Sequence, residues 1–177
     1  IELVKRVDLF DYIDPNVLVA QGNLVYGVDH GELIVLDVSD PLDPQWIASL
    51  DLEWRDGQDI AVDGQYAYLA ANGLIVVDVS DPSDPKEVYT YTLDTRALDI
   101  KIKEHYVYLA GQENGLLIFD VSDPSQPELV SQIEVSYRDP DESAYDSVEA
   151  VDVAEQYAYV VGEANDRFVE VQDISDP

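Results

Sequence analysis

The chain of 177 residues carries 38 acidic side chains against 9 basic ones, a formal net charge of −29 at pH 7. Because so acidic a surface repels phosphate, the charge excludes nucleic acids and anionic membrane surfaces as partners. The absence of cysteine excludes disulfides, thiol redox chemistry and zinc sites built on thiolates. Since 46% of the residues are hydrophobic, we expect one folded core.

The chain opens with a predicted β-strand. Residues 1–9 match residues 127–135 in polar and apolar character, position by position. The later segment ends a repeat unit, so residues 1–11 are predicted to be the closing strand of such a unit.

Repeat units follow, and each contains the pentamer Asp-Val-Ser-Asp-Pro, or Asp-Ile-Ser-Asp-Pro in the last. The units are predicted at residues 16–52, 58–94, 98–136 and 148–177. The pentamers are spaced 41, 42 and 53 residues apart and begin at Asp37, Asp78, Asp120 and Asp173. Internal periodicity of this length is typical of repeat architectures.

The second unit shows the predicted strands most clearly. They are Asp59–Val62, Tyr66–Ala71, Leu74–Val79 and Val88–Leu93. Asp63-Gly64 and Asn72-Gly73 separate the first three strands, and such pairs favour the tight turns of β-hairpins.

Four antiparallel strands in about 42 residues are typical of a β-propeller blade. We therefore predict an all-β fold, a β-propeller of four four-stranded blades in a single domain, residues 1–177. The N-terminal strand would complete the last blade and leave no unpaired sheet edge. The alternatives are half of an eight-bladed ring shared by two chains, a segment of a longer repeat array, and a subunit that adds its strand to the next subunit of a filament.

The segments Gly73–Pro82 and Gly115–Pro124, with Tyr-Ala-Tyr upstream of the former, resemble the LVIVD-repeat family. The resemblance implies β-propellers that lie on bacterial or archaeal surfaces or are exported, so an extracellular or cell-surface location is expected. It supplies no catalytic residues. The last unit departs from this pattern. Arg167–Gln172 stands where the third unit has Gly115 and the apolar run that follows it.

The repeated pentamer and the first predicted strand of each unit are the candidate metal sites. Ser and Asp side chains bond backbone groups in turns, although carboxylates repeated around a rim could also hold Ca²⁺. Since the first strand of a blade is innermost, Asp59, Asp99 and Glu149 are predicted to converge on the channel, where they would either raise one another's pKa or share a cation. The alternative is that these carboxylates bond backbone amides.

Two further features are candidate partner-binding sites. The predicted loop 137–147 is about 11 residues longer than its counterparts, and long loops on a rigid scaffold often bind partners. Its candidate residues are Asp139, Asp141, Glu142 and Tyr145; the alternative is a solvated acidic loop. Glu170 and Gln172 replace apolar residues of the other units, so the last blade is predicted to border a seam or a partner.

We expect a non-enzymatic structural or adhesive module outside the cell, self-assembling through its terminal strand. Its expected partners are copies of itself, another surface protein or a glycan, without insertion into a membrane. The competing function is a Ca²⁺-dependent carbohydrate- or peptide-binding domain, accessory to a larger enzyme. No catalytic residue and no cofactor other than Ca²⁺ is predicted.

Overall fold

A computed structural model describes residues 15, 17–28, 31–53, 55–134, 147–163 and 167–175. The predicted N-terminal strand lies outside the described residues, as do Asp139, Asp141, Glu142 and Tyr145 of the predicted binding loop. The described residues form fifteen β-strands in four antiparallel sheets and no helix.

Each sheet corresponds to one blade, and its strands pair in the order of the sequence. The first blade contains β1 (Val17–Gln21), β2 (Leu24–Val28), β3 (Glu32–Asp37) and β4 (Gln45–Asp51). The second contains β5 (Asp59–Asp63), β6 (Tyr66–Ala71), β7 (Gly73–Asp78) and β8 (Lys86–Thr92). The third contains β9 (Asp99–Lys103), β10 (Tyr106–Ala110), β11 (Leu116–Asp120) and β12 (Glu128–Ile133). The fourth contains, among the described residues, β13 (Ser147–Ala154), β14 (Tyr157–Glu163) and β15 (Arg167–Asp173).

The hairpin turns of the second blade place their glycines in left-handed backbone conformations, as the Asp-Gly and Asn-Gly pairs predict. Gly64, between β5 and β6, has φ 58°, a left-handed conformation that costs glycine little. Glu104 occupies the same turn position in the third blade with φ 56°. Gly73 has φ 124°, and a Cβ added there would lie 1.9 Å from the backbone oxygen of Tyr91. The turn between β6 and β7 therefore requires glycine, both for its backbone conformation and because a Cβ would clash there.

Within the described residues, three clusters of buried residues lie between neighbouring blades. We call the side of a blade that packs on the next blade its forward face, and the opposite side its backward face. In the second blade the forward face is formed by Tyr68, Ala70, Leu74 and Val76. These residues pack on the backward face of the third blade, formed by Val107, Leu109, Leu117 and Phe119. The first blade packs on the second in the same way, and the third on the fourth.

The innermost strands lie side by side in the order β1, β5, β9 and β13. This succession of twisted sheets around one axis is the arrangement of a β-propeller. The predicted all-β fold built from four-stranded blades is thereby confirmed. Across the part of the chain that the structure describes, no helix is long and apolar enough to cross a membrane.

Candidate functional site

The two predicted channel aspartates join neighbouring blades. Asp59 and Asp99 are the first residues of β5 and β9. The Ile100 amide donates a hydrogen bond to Asp59 Oδ2 at 3.1 Å. In the same way, the Val151 amide donates to Asp99 Oδ2 at 2.8 Å. Each carboxylate therefore bonds a backbone amide, and that amide belongs to the next blade.

A lysine that is not among the predicted site residues lies between these carboxylates. Lys101 Nζ contacts Asp99 Oδ1 and lies 3.3 Å from Asp59 Oδ2. It also donates to the backbone oxygen of Ile100 at 3.0 Å. The signal in the sequence was its spacing, because residues two apart on a strand point to the same face. The structure thus places an ammonium group where a shared cation was predicted.

Burial and hydrogen bonding shift the pKa values of the two carboxyls in opposite directions. Burial raises the pKa of Asp59, and its hydrogen bond with Asp99 raises that pKa further. Burial also acts to raise the pKa of Asp99, but hydrogen bonds from Asp59, Lys101 and the Val151 amide lower it overall. Burial acts to lower the pKa of Lys101, yet its bond to Asp99 and the charges of both aspartates raise it. The ammonium therefore stays charged, and Asp59 is the carboxyl that takes up a proton first.

Glu149 lies apart from this arrangement. It occupies a β-bulge between Val148 and Ala150 in β13, and its Oε2 is 4.0 Å from Arg167 Nη2. Ala150 takes the strand position that Asp99 holds in the third blade. Among the described residues, no group of three or more His, Cys, Asp or Glu side chains is placed to hold a metal ion. The structure brings Asp59 and Asp99 together with Lys101, and it does not bring Glu149 to them.

The pentamers form turns through their first aspartate. In each, this carboxylate accepts a hydrogen bond from the amide of the serine two residues on, at 2.7–3.0 Å. Hydrogen bonds from the side chain and backbone of Ser122 lower the pKa of Asp120. This is the local bonding by which Asp and Ser favour turns.

In the fourth blade, polar residues lie on the face turned toward the third blade. Glu170 and Gln172 are half-buried on its backward face, beside the buried Ala158 and Val160. Gln172 Nε2 donates to Glu170 Oε2 at 3.2 Å. These two side chains, which lie between the third and fourth blades, therefore satisfy part of each other's hydrogen-bonding capacity.

The forward face of the fourth blade is exposed. Val169 is 68% exposed and Val171 56%, whereas Leu116 and Ile118, at the same positions in the third blade, are each 1% exposed. Tyr159 is 39% exposed, and the equivalent tyrosines are buried. Those tyrosines are Tyr26, Tyr68 and Tyr108.

At the other end of the blade series, a residue of the innermost strand is exposed. Leu18, on β1, is 57% exposed, while the equivalent residues of β5, β9 and β13 are 5% exposed or less. These residues are Ile60, Ile100 and Val151. On the same face of the first blade, Ile34 and Leu36 are buried, at 0% and 8% exposed, so the exposed part of that face belongs to β1 and not to β3.

Repeated four-stranded sheets around one axis define the class, a β-propeller-like repeat protein. The sequence profile of the LVIVD repeat matches residues 16–51, 54–93, 95–135 and 147–177. The chain belongs to the LVIVD-repeat family. No curated protein matches it in sequence.

Solved structures share the fold. The computationally designed Ika4 protein is 14% identical with a TM-score of 0.69, over 93% of each chain. The designed Ika8 protein is 15% identical with a TM-score of 0.63, over 90% of this chain and 45% of that one. The periplasmic gluconolactonase of Pseudomonas aeruginosa is 10% identical with a TM-score of 0.65, over 87% of this chain and 55% of that one. This chain spans about half the length of the latter two proteins, and the likeness concerns the fold alone.

Proposed function

We propose that this protein is a non-enzymatic structural or adhesive interaction module that works outside the cell. The observation that carries the proposal is the exposed forward face of the fourth blade, formed by Tyr159, Val169 and Val171. Their counterparts in the other blades are core residues. A contiguous exposed apolar surface bordered by polar residues is typical of an interaction site.

Burial of this face would supply a binding free energy. Removing a large apolar side chain from water stabilises a complex by roughly 1.5–3 kcal/mol when burial is complete. Three such side chains form a compact anchor, and anchors of this kind dominate the energetics of many interfaces. The strongly acidic remainder of the surface keeps the protein soluble and disfavours unspecific association.

The sheet edge beside this face supports assembly by strand addition. Within the described residues, β15 is the last strand of a three-stranded sheet, while the other blades have a fourth strand. Residues 1–9 match residues 127–135 in character, and β12 falls within that second segment. We therefore propose that residues 1–9 pair with β15, because an added strand satisfies the free backbone groups of an edge.

The adhesive role is tested with microspheres coated with the purified protein and mixed with intact cells of the producing species. We expect wild-type spheres to adhere and Val171→Glu spheres to lose most of their adhesion. Val130→Glu is the matched control, since Val130 is an exposed valine on the outer strand of the third blade. Equal adhesion by all three proteins would contradict the proposed role of this face.

The location is tested by treating intact cells with a protease that does not enter them. We expect the protein to be degraded while a cytoplasmic marker survives. Survival of both would contradict the proposed site of action.

A further inference from the structure

We infer that residues 1–7 of this chain add to β15 in one register, in which Arg6 lies directly opposite Glu170 and forms an ion pair with it. This inference rests on the proposed function, because it specifies the strand addition proposed there. Its starting point is the acidic side chain of Glu170, since the other three blades carry a buried apolar residue at the same position of their third strand. Those residues are Ile34, Ile75 and Leu117.

The outer strand of the third blade provides the register. β12 pairs with β11 in that blade, and Gln132 lies opposite Leu117. Residues 1–9 match residues 127–135 in character, position by position, so Arg6 corresponds to Gln132. When the segment pairs with β15 as β12 pairs with β11, Arg6 lies opposite the residue that corresponds to Leu117.

That residue is Glu170, and the fourth blade would thereby differ from the others in both members of this cross-strand pair. The three complete blades place an apolar residue opposite an uncharged polar one. These pairs are Ile34 with Ser49, Ile75 with Thr90 and Leu117 with Gln132. Only 9 of the 177 residues are basic, so the coincidence of an arginine with the one acidic position is informative.

The surroundings of Glu170 leave its charge without compensation from the described part of the chain. Glu170 is half-buried, and Gln172 Nε2 donates to its Oε2 at 3.2 Å. None of the ion pairs among the described residues includes it. Partial burial removes hydration from a carboxylate, and a paired cation offsets that loss. In the inferred register the Arg6 guanidinium supplies the cation.

The ion pair acts on the choice of register more than on stability. Gln132 is exposed, so Arg6 would lie at an exposed position, where ion pairs contribute little to the free energy of unfolding. Opposite charges directly across two strands nevertheless favour one pairing, because a slip of one residue turns every side chain of the strand to the other face.

The same register extends the exposed forward face of the fourth blade. Val7 corresponds to Ile133, which lies opposite Leu116 and packs on the cluster between the third and fourth blades. In the fourth blade Val7 would therefore lie opposite Val169 and beside the apolar face of the proposed function. The added strand enlarges this face and leaves it open to a partner.

Disulfide cross-linking of the full chain tests the register, because the chain has no cysteine of its own. Val7→Cys with Val169→Cys introduces two thiols at positions that are opposite in this register. Leu3→Cys with Val169→Cys is the control, since Leu3 lies four residues further along the strand, about 13 Å away. A disulfide requires Cα atoms within about 7 Å of each other. We therefore expect mild oxidation to cross-link the first variant and not the second.

The mass of the cross-linked product shows which molecule supplies the strand. A product with the single-chain mass of 19.8 kDa means that the segment pairs with β15 of its own molecule. A product of twice that mass means that two copies exchange their segments. Both products support the register.

The ion pair is tested in the cysteine variant that is expected to cross-link. Arg6→Glu should slow disulfide formation about fivefold, because repulsion replaces attraction across the strands. Adding Glu170→Arg to Arg6→Glu should restore the rate. Lys5→Glu is the matched control, since it changes the net charge equally but lies on the other face of the strand, and it should slow the reaction less. Circular dichroism establishes that each variant is folded.

Three results would overturn the inference: cross-linking of the Leu3→Cys variant as fast as that of the Val7→Cys variant, equal effects of Arg6→Glu and Lys5→Glu, or no restoration by the double charge reversal. No disulfide in either cysteine variant would overturn the strand addition as well. The adhesive role is decided separately by the Val171→Glu microspheres, so failure of the register and failure of the proposed function are distinguishable.

Discussion

At the scale of single residues, the ammonium group of a lysine lies between the two aspartates that were predicted to share a cation. Lys101 lies between Asp59 and Asp99, whose carboxylates hold amides of the next blade. An ion pair of this kind stabilises a fold mainly when it also satisfies backbone groups, because partial burial removes some of its hydration. The network therefore acts as a link between the second, third and fourth blades.

Replacing Lys101 with methionine should lower the free energy of unfolding by about 1 kcal/mol at pH 7, since two close carboxylates would lose their counter-charge. The raised pKa of Asp59 sets the pH dependence. A raised folded-state pKa contributes stability that is present at low pH and lost as pH rises through that pKa. Protonation of Asp59 removes the repulsion between the two carboxylates that the variant cannot offset, so the deficit of Lys101→Met should shrink as pH falls from 7 to 4.5, as measured by urea denaturation. Lys103→Met, two residues along β9, is the control, and equal losses in both variants would argue against the network.

At the scale of structural elements, the turn between the first two strands of a blade shows which residues the fold tolerates at a left-handed backbone position. Gly64 and Glu104 hold equivalent positions at nearly the same φ, 58° and 56°. A residue with a Cβ in the left-handed region costs roughly 1–2 kcal/mol relative to ordinary backbone conformations. The third blade therefore contains a strained turn that the second blade avoids.

Glu104→Gly should raise the free energy of unfolding by about 0.5–1 kcal/mol, because glycine relieves the strain at some cost in chain entropy. Gly64→Ala should lower it by a similar amount. An added Cβ at Gly64 would meet no atom within 4 Å, so that effect comes from the backbone alone. Chemical denaturation of both variants tests the pair, and changes of the same sign would contradict the explanation.

The seam between the third and fourth blades differs from the others because Glu170 and Gln172 are half-buried there. In the third blade, Leu117 holds the position of Glu170 and is fully buried. Glu170→Leu should raise the free energy of unfolding by about 0.5–1 kcal/mol, with burial of an apolar side chain outweighing the lost hydrogen bond to Gln172. Glu128→Leu, at an exposed position of β12, should leave stability unchanged. A loss of stability in Glu170→Leu would instead show that the seam depends on its polar pair.

At the scale of the whole molecule, the net charge of −29 acts through self-repulsion, which added salt reduces. The described residues hold no cluster of three or more potential metal ligands from His, Cys, Asp and Glu. Because any dissolved cation reduces this self-repulsion, we expect both Na⁺ and Ca²⁺ to stabilise the protein by screening.

The melting temperature should rise equally in NaCl and CaCl₂ at matched ionic strength, and EDTA should leave the melting temperature in NaCl unchanged. Differential scanning calorimetry makes the comparison. A rise in Ca²⁺ well beyond that in NaCl would support the specific calcium site predicted from the sequence.

Strand positions were predictable because they depend on local patterns. The strands of the second blade lie within two residues of their predicted bounds, since alternating apolar residues and Asp-Gly or Asn-Gly turns are sufficient to define hairpins. The channel site was predictable only in part. Asp59 and Asp99 were identified, but the ammonium of Lys101 and the amides of the next blade come from pairings between different strands.

The repeat, the all-β class and the family follow from the sequence, because each depends on short segments that recur at a fixed period. What each blade face meets follows from the packing of the folded chain. Glu170 and Gln172 lie toward the third blade and Val169 and Val171 away from it. That direction follows from the packing of whole sheets on one another, because burial at a given position depends on the neighbouring blade and not on the strand that carries it.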